Sequence, residues 1–107
     1  MDIKELEAFA EKTRQNNKKL YNISDDEAMN FPFTIKIMEE LGELCDAVLA
    51  SKSLQRKEKL EKHRPEHLEE EFADVIFTTC ILAKNMGVDI SHALAKKMDK
   101  VEKRGGV

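Results

Sequence analysis

Glycine, proline, cysteine and tryptophan are scarce in this sequence of 107 residues, which contains four, two, two and none of them, respectively. So few turn-forming residues, together with 36% charged and 41% apolar residues, favour a helical soluble protein over a β-sandwich or a disordered chain. The length predicts one domain over residues 1–107. Cys45 and Cys80 fall at apolar helical positions without the spacing of a metal site, so we expect buried free thiols.

Long apolar runs are also missing. The longest, Val75–Ala83, follows a charged Asp74 and is too short to span a bilayer. The start MDIKELEAF is charged from its second residue, unlike a signal peptide. A net charge of −3 argues against a broad nucleic-acid-binding surface. We therefore expect a cytoplasmic protein with neither a membrane nor a nucleic-acid partner.

Apolar periodicity and capping signals predict an all-α, four-helix bundle-like domain. Pro65 suits the first turn of a helix, and Asp89 suits an N-cap. Residues from about 52 to 65 form a charged connector that we expect to be flexible and partly helical. The predicted main helices are one from Ile3 that weakens at Asn16–Asn17, and three over residues 33–51, 65–85 and 90–104.

The stretch IMEELGELCDAV, residues 37–48, places three carboxylates beside an apolar helical face. Glu39, Glu40 and Glu43 lie within about 1.4 helical turns, where like charges repel. They fill an arc of about 100° next to an apolar arc of about 140°, so we expect them to line the border of the core. The alternative is a solvated acidic face that Lys36 partly neutralises. The apolar arc consists of Ile37, Met38, Leu41, Leu44, Cys45, Val48 and Leu49.

The predicted third helix is apolar around most of its circumference. Its polar stripe, about 40° wide, contains His67, Glu71, Asp74, Thr78 and Asn85. Buried carboxylates must be paired or bind a metal, and Glu71 and Asp74 are the two on this stripe. So much apolar surface also predicts a homo-oligomer. The residues expected to face another subunit include Phe77, Cys80 and Ile81.

Both helices therefore carry a pair of acids three positions apart, Glu40 with Glu43 and Glu71 with Asp74. If the helices pack antiparallel, the four carboxylates converge. Oxygen-only ligands suit a hard ion such as Mg²⁺ or Mn²⁺. A di-iron bundle would require Glu-x-x-His motifs, which these positions lack.

The motif E-E-x-x-E followed after a spacer by E-x-x-D resembles that of the MazG-like all-α nucleoside triphosphate pyrophosphohydrolases. Here the motif is Glu39–Glu43 and Glu71–Asp74, and the flanking segments KIMEELGEL and NMGVDISHALAKKMDKVEKR are also similar to the family's. The resemblance extends from Phe33 to Arg104. One departure is Val101, where family members often carry Asn. This position lies on the predicted fourth helix, so the difference affects the substrate contacts of that helix and, with them, the preferred base.

The resemblance implies an enzyme that splits a nucleoside or deoxynucleoside triphosphate into a monophosphate and pyrophosphate, in nucleotide-pool house-cleaning. It implies that Glu40, Glu43, Glu71 and Asp74 bind Mg²⁺, which would polarise the α-phosphoryl group. Glu39 is our candidate to orient or deprotonate the attacking water. It also implies a dimer or a dimer of dimers.

The predicted fourth helix carries cations along one edge of its apolar arc: Lys97, Lys100 and Arg104. They are candidates for binding the substrate phosphates, from the same chain or from a neighbour. The alternative is that they complement the helix dipole. Asn85 and Phe33 are candidates to contact the base or sugar.

Two other functions remain open at the level of the sequence. One is a non-catalytic helical module in which the acids bind metal structurally or stabilise an oligomer. The other is the related phosphoribosyl-ATP pyrophosphohydrolase activity.

Overall fold

A computed structural model describes residues 1–106, and no β-strand occurs in that range, which confirms the predicted all-α class. A 3-10 turn at Glu27–Met29 leads into the second helix. Within the described residues, no helix is both long and apolar enough to cross a membrane. The five α-helices are α1 (Ile3–Leu20), α2 (Asn30–Ser51), α3 (Lys57–Lys62), α4 (Pro65–Asn85) and α5 (Ile90–Lys103).

The ends of the helices follow from local capping. Asp2 accepts a hydrogen bond from the Glu5 amide at 2.9 Å and starts α1. Pro65 occupies the first turn of α4, and Asp89 caps α5 through the His92 amide at 3.0 Å, both as predicted. The expected weakening at Asn16–Asn17 was wrong, because α1 continues to Leu20. The connector contains α3, which confirms that it is partly helical.

The main helices pack in the order α2, α4, α1, α5. α2 and α4 run antiparallel, since Asn85 at the end of α4 donates to the Asn30 side chain at the start of α2, at 2.6 Å. Phe9 and Phe77 join α1 to α4, with ring centroids 5.1 Å apart. The radius of gyration, 16.4 Å, exceeds the value of about 13 Å expected for a compact chain of this length. The chain is therefore flatter and more open than a closed four-helix bundle.

A small core lies where α1, α2 and α4 meet. Cys80 and Ile81 are each only 4% exposed, and Phe77 is half-buried against it. The expectation that these three face another subunit was therefore wrong, because they face α1 and α2 of their own chain. Cys45, expected to be buried, is exposed. The buried members of the core are Ala10, Met29, Phe33, Cys80 and Ile81.

The side of α2 that faces α4 is not the side that the apolar pattern predicts. Phe33, Glu40 and Ala47 are buried against α4. Much of the predicted apolar arc instead remains exposed, and so does an apolar ridge on α4. The exposed residues are Met38, Leu41, Val48 and Leu49 on α2 and Phe72 and Ile76 on α4.

Arg14 ties three segments together at one end of the fold. Its guanidinium is buried and donates to both carboxylate oxygens of Glu11, at 2.8 and 2.7 Å. It also donates to Asp26 at 2.9 Å and to the Asn85 side-chain oxygen at 3.2 Å. Asn85 completes the network by donating to the Asp26 carbonyl at 2.8 Å. The network thus fixes α1, the turn before α2 and the end of α4 relative to one another.

Glu7 anchors α5 to α1. Its buried carboxylate accepts hydrogen bonds from the backbone amide and the hydroxyl of Ser91, at 2.8 and 2.9 Å. These bonds lower the pKa of Glu7, the backbone bond contributing most. Because the amides of a first helical turn have no partner within their helix, α1 completes the capping of α5.

Candidate metal centre

Three glutamates from two helices meet at the interface of α2 and α4. Glu40 and Glu43 lie on adjacent turns of α2, and Glu71 faces them from α4; one carboxylate oxygen of each lies within 4.8 Å of the others. The antiparallel packing causes this convergence, because residues three positions apart project from the same side of a helix. Among residues 1–106, this is the one group of His, Cys, Asp and Glu side chains close enough to share an ion.

Glu40 is the most deeply buried of the three clustered glutamates. The residue is only 6% exposed, so it is buried more deeply than the predicted position at the border of the core. Lys36 donates to one of its oxygens, with Nζ and Oε1 3.1 Å apart. Its other oxygen and one oxygen of Glu71 are buried without a hydrogen-bond partner within residues 1–106. Unpaired buried carboxylate oxygens are costly, and a cation between these oxygens would remove the cost.

The charges of this centre perturb the titration of two groups. Partial desolvation, followed by repulsion from Glu40 and Glu71, raises the pKa of Glu43. Hydrogen bonding to Glu40 raises the pKa of Lys36, which also lies 3.5 Å from Glu39. Lys36 therefore pairs with only one of the three clustered glutamates, Glu40, which leaves excess negative charge at the centre. The residues present fit a divalent, oxygen-seeking cation.

Asp74 and Glu39 lie beside the three clustered carboxylates. Asp74 is exposed one turn beyond Glu71 on α4, and its carboxylate is not among the three that lie within 4.8 Å of one another. Glu39 is exposed and pairs with Lys36. The structure thus brings together three of the four residues predicted to bind metal and places Asp74 at the edge of the group.

Two cavities are lined by different members of the clustered glutamates. We call the first the α1-side cavity; it has a volume of about 240 Å³ and lies where α1, α2 and α4 meet. Thr13, Asn17, Phe33, Lys36, Glu40, Asp74, Phe77, Thr78 and Ile81 line it. We call the second the α3-side cavity, with a volume of about 270 Å³. Glu43, Asp46, Ala47, Ala50, Lys59, Lys62, His63, His67 and Glu71 line it.

The remaining predicted site residues lie in other surroundings. Phe33 is 4% exposed and forms part of both the core and the wall of the α1-side cavity. The amide of Asn85 is occupied by Asp26, Asn30 and Arg14. Asn85 lies 14 residues along α4 from Glu71, or about 21 Å at the rise of an α-helix.

The predicted cationic edge of α5 is exposed on the helix that packs against α1. Lys97 and Lys100 have no ion-pair partner within the described residues, and Arg104 donates to the Gly106 carbonyl at 2.9 Å. The described protomer thus presents these cations to solvent, on a helix whose main packing partner is α1.

The chain belongs to the family of the MazG nucleotide pyrophosphohydrolase domain, whose model matches residues 33–106. The match includes the whole acidic centre and α5, and it confirms the family that the two acidic motifs indicated. Comparison with curated proteins and with solved structures gives no significant match.

Sequence reasoning missed two groups that line the cavities. Lys59, Lys62 and His63 lie in the connector, where they resemble any other charged surface residues. Thr13 and Asn17 lie in α1, where Asn17 was interpreted as part of a weakening helix. The only signal for the connector residues is their basic character near a predicted acidic site. No feature of the sequence distinguishes Asn17 from its neighbour Asn16.

Proposed function

We propose that this protein is a divalent-metal-dependent nucleoside triphosphate pyrophosphohydrolase that produces a nucleoside monophosphate and pyrophosphate. The observation that carries this proposal is the meeting of Glu40, Glu43 and Glu71, two of which keep a buried oxygen without a partner within residues 1–106. Membership of the MazG family supports the same reaction class. Water attacks the α-phosphorus, the bond from that phosphorus to the bridging oxygen breaks, and pyrophosphate leaves.

Glu40, Glu43 and Glu71 would hold Mg²⁺ or Mn²⁺, and Asp74, one turn beyond Glu71 on α4, would be the fourth ligand. A bound ion supplies electrostatic polarisation of the α-phosphoryl group. Lys36 holds Glu40 in position through their 3.1 Å contact. Glu39, exposed beside Lys36, is the candidate to orient the attacking water and accept its proton.

We propose that the protein functions as a homo-oligomer, a dimer or a dimer of dimers. The apolar residues left exposed on α2 and α4 support this proposal, since Met38 is 68% and Ile76 is 55% exposed. Because the helices are antiparallel, the exposed faces of α2 and α4 point to the same side, as in half of a bundle. The open shape of the chain agrees with a protomer that a partner completes.

We further propose that Lys97, Lys100 and Arg104 act on the phosphates of a site in the partner protomer. Their helix packs on α1 of its own chain, and their ammonium and guanidinium groups face solvent. Association of two protomers would bring them near the carboxylates of the opposite chain. Arginine and lysine are the side chains suited to binding a triphosphate.

We propose that residues 1–107 form one domain. The core supports this proposal, since Ala10 of α1 packs with residues of α2 and α4 inside the region that the family model matches. Val107, the last residue of the predicted domain, lies outside the described residues.

A panel of the four common nucleoside triphosphates and their deoxy counterparts tests the proposed reaction. Each is incubated with Mg²⁺ or Mn²⁺, and the products are separated by anion-exchange chromatography. Monophosphate and pyrophosphate are expected in equal amounts. Diphosphate and inorganic phosphate would contradict the reaction. Metal binding without turnover of any triphosphate or of phosphoribosyl-ATP would instead favour a non-catalytic module, and turnover of phosphoribosyl-ATP alone would favour the sister activity.

A further inference from the structure

The two cavities beside the clustered glutamates differ in their apolar and basic side chains. The α1-side cavity has Phe33, Phe77 and Ile81 in its walls and one basic residue, Lys36, which already pairs with Glu40 and Glu39. The α3-side cavity has four basic side chains beside its three carboxylates, two of which, Glu43 and Glu71, are the proposed metal ligands. The two regions therefore suit different parts of a substrate: one suits a neutral, partly apolar group and the other an anion.

Two polar side chains of the α1-side cavity, Thr13 and Asn17, are available for binding. Within residues 1–106, neither the Asn17 amide group nor the Thr13 hydroxyl forms a side-chain hydrogen bond, although both residues are partly buried. An amide offers two donors and an acceptor, which is the combination that recognises a nucleobase edge or a sugar hydroxyl. Apolar side chains beside it can contact the face of a base.

Basic side chains of the α3-side cavity remain outside its internal ion pair. Lys59 bonds to Asp46 at 2.9 Å, and Gln55 donates to the same carboxylate at 2.9 Å, so these contacts fasten α3 to α2. Lys62 and His63 follow on the anchored segment and have no ion-pair partner within the described residues. His67 lines the same wall from the first turns of α4.

The three clustered glutamates are divided between the walls of the two cavities. Glu40 lines the α1-side cavity, and Glu43 and Glu71 line the α3-side cavity. A molecule whose reactive phosphorus lies at the three carboxylates can therefore reach one cavity with its nucleoside and the other with its remaining phosphates. Charge decides between the two directions, because two further phosphates gain most beside unpaired cations.

We propose that the nucleoside occupies the α1-side cavity, where Asn17 contacts its base or sugar, and that pyrophosphate occupies the α3-side cavity, where Lys62 and His63 bind it. This orientation rests on the proposed function for the identity of the substrate. It assigns a binding role to the connector between the two acidic motifs and makes Asn17 a residue that determines substrate specificity.

Binding of the two products separately tests the orientation without requiring turnover. Isothermal titration calorimetry with Mg²⁺ present measures inorganic pyrophosphate and, separately, each of the common nucleoside and deoxynucleoside 5′-monophosphates. Two variants target the pyrophosphate side, Lys62→Ala and His63→Gln, with Lys57→Ala as an exposed control on the same short helix. Asn17→Ala targets the nucleoside side, and Asn16→Ala is its exposed neighbour and control.

Lys62→Ala is expected to weaken pyrophosphate binding roughly ten- to a hundredfold, as expected for loss of a charge-assisted contact, and to leave monophosphate binding unchanged. Asn17→Ala is expected to weaken binding of the preferred monophosphate roughly two- to tenfold and to leave pyrophosphate unchanged. Both controls should match the wild type.

Three results would overturn the orientation. The first is unchanged pyrophosphate binding in both Lys62→Ala and His63→Gln. The second is that Asn17→Ala weakens binding of pyrophosphate rather than of the monophosphate. The third is that the wild type binds neither product. Failure of the proposed reaction is distinguished from these results, because it is measured by the products formed from triphosphates and not by the affinities of the two cavities.

Discussion

Glu40 of α2 and Glu71 of α4 approach each other from antiparallel helices, and each has a buried oxygen without a hydrogen-bond partner within residues 1–106. Two such oxygens in one place raise the energy of the metal-free fold, and repulsion from Glu43 adds to it. A divalent cation between them lowers that energy. The same feature therefore predicts metal affinity, the stability of the metal-free protein and the consequences of removing each carboxylate.

Removal of either carboxylate should abolish metal binding and turnover while the helices remain. Replacing a residue that merely supports a metal ligand costs about ten- to a hundredfold in affinity or activity, so loss of a ligand should cost at least that much. We expect Glu40→Gln and Glu71→Gln to lose at least about a hundredfold in kcat/KM, with an unchanged far-ultraviolet circular dichroism spectrum. Glu69→Gln, at an exposed position of α4, is the control. Near-normal activity in both site variants would rule out this metal centre.

Glu43→Gln should stabilise the metal-free protein at neutral pH. The folded-state pKa of Glu43 is raised by desolvation and by Glu40 and Glu71, so its ionised form opposes folding. The metal-free wild type should therefore lose stability as pH rises from 4.5 through the raised pKa, and the variant should lack that loss. Relief of each like-charge contact is worth on the order of 0.2–0.5 kcal/mol, or roughly 1–4 °C in Tm.

Thermal unfolding with and without Mg²⁺ measures this effect. Saturating metal should reverse the order of stability, because the wild type gains binding free energy that the variant lacks. If the variant is instead less stable than the wild type in the absence of metal, Glu43 stabilises the metal-free fold, which would contradict the proposed charge repulsion.

Arg14→Met should destabilise the whole fold, because it removes the group that joins α1, the turn before α2 and the end of α4. The loss should be on the order of 1.5–3 kcal/mol, the range for charged hydrogen bonds, since Glu11 and Asp26 remain partly exposed to water. Urea unfolding at neutral pH measures it, and Lys12→Met on the same helix serves as a control. A loss no larger than that of the control would contradict the role assigned to Arg14.

The same network makes stability depend on pH in acid. Hydrogen bonding to Arg14 lowers the pKa of Glu11 from 4.5 to about 2. Because the folded-state pKa lies below the unfolded value, this stabilisation is complete above pH 4.5 and is lost as pH falls towards about 2. Arg14→Met should show a smaller loss over that interval than the wild type, and an equal loss would contradict the assignment.

The helices could be predicted from local signals because those signals act within a few residues. Pro65 at the start of α4 and Asp89 at the N-cap of α5 have the same roles in the structure as in the sequence. α1 continued past Asn16–Asn17 because Asn has only a weakly unfavourable helix propensity, which packing overrides. The convergence of Glu40, Glu43 and Glu71 followed from their spacing together with antiparallel packing.

The buried face of α2 could not be predicted in the same way. Apolar periodicity predicts that Met38 and Leu41 lie on a packing face, but it does not identify the element that packs there. Within the protomer both residues remain exposed. Glu40, next to that face, is the residue that turns towards α4. Similarly, Lys62 and Asn17 acquire a position beside the carboxylates only through the tertiary fold, so no local pattern could assign them.

The exposed apolar face predicts the assembly. Leu41→Glu and Ile76→Glu each place a charge where a second protomer is proposed to pack, and either change should weaken association by at least about tenfold. Sedimentation velocity over a range of micromolar concentrations measures the change. Met86→Glu, at an exposed position beyond the end of α4, should leave the oligomer intact. A wild type that is monomeric throughout that range would contradict the assembly.

The cationic edge of α5 predicts complementation between protomers. Lys97→Ala and Arg104→Ala should each lower kcat/KM for the triphosphate roughly ten- to a hundredfold, chiefly through KM, with metal affinity unchanged. If the cations serve the partner's carboxylates, mixing Glu40→Gln with Lys97→Ala should restore part of the activity, because one site in each mixed dimer is intact. Unchanged kinetics in both α5 variants would leave these cations as partners of the helix dipole.

The most direct test of the central claim follows the attacking oxygen. A single turnover of the preferred triphosphate in ¹⁸O-labelled water, with Mg²⁺ present, is analysed by mass spectrometry of both products. Attack at the α-phosphorus beside Glu40, Glu43 and Glu71 predicts one labelled oxygen in the monophosphate and none in pyrophosphate. Label in pyrophosphate, or label in inorganic phosphate with a diphosphate as the other product, would contradict the proposed reaction at this centre.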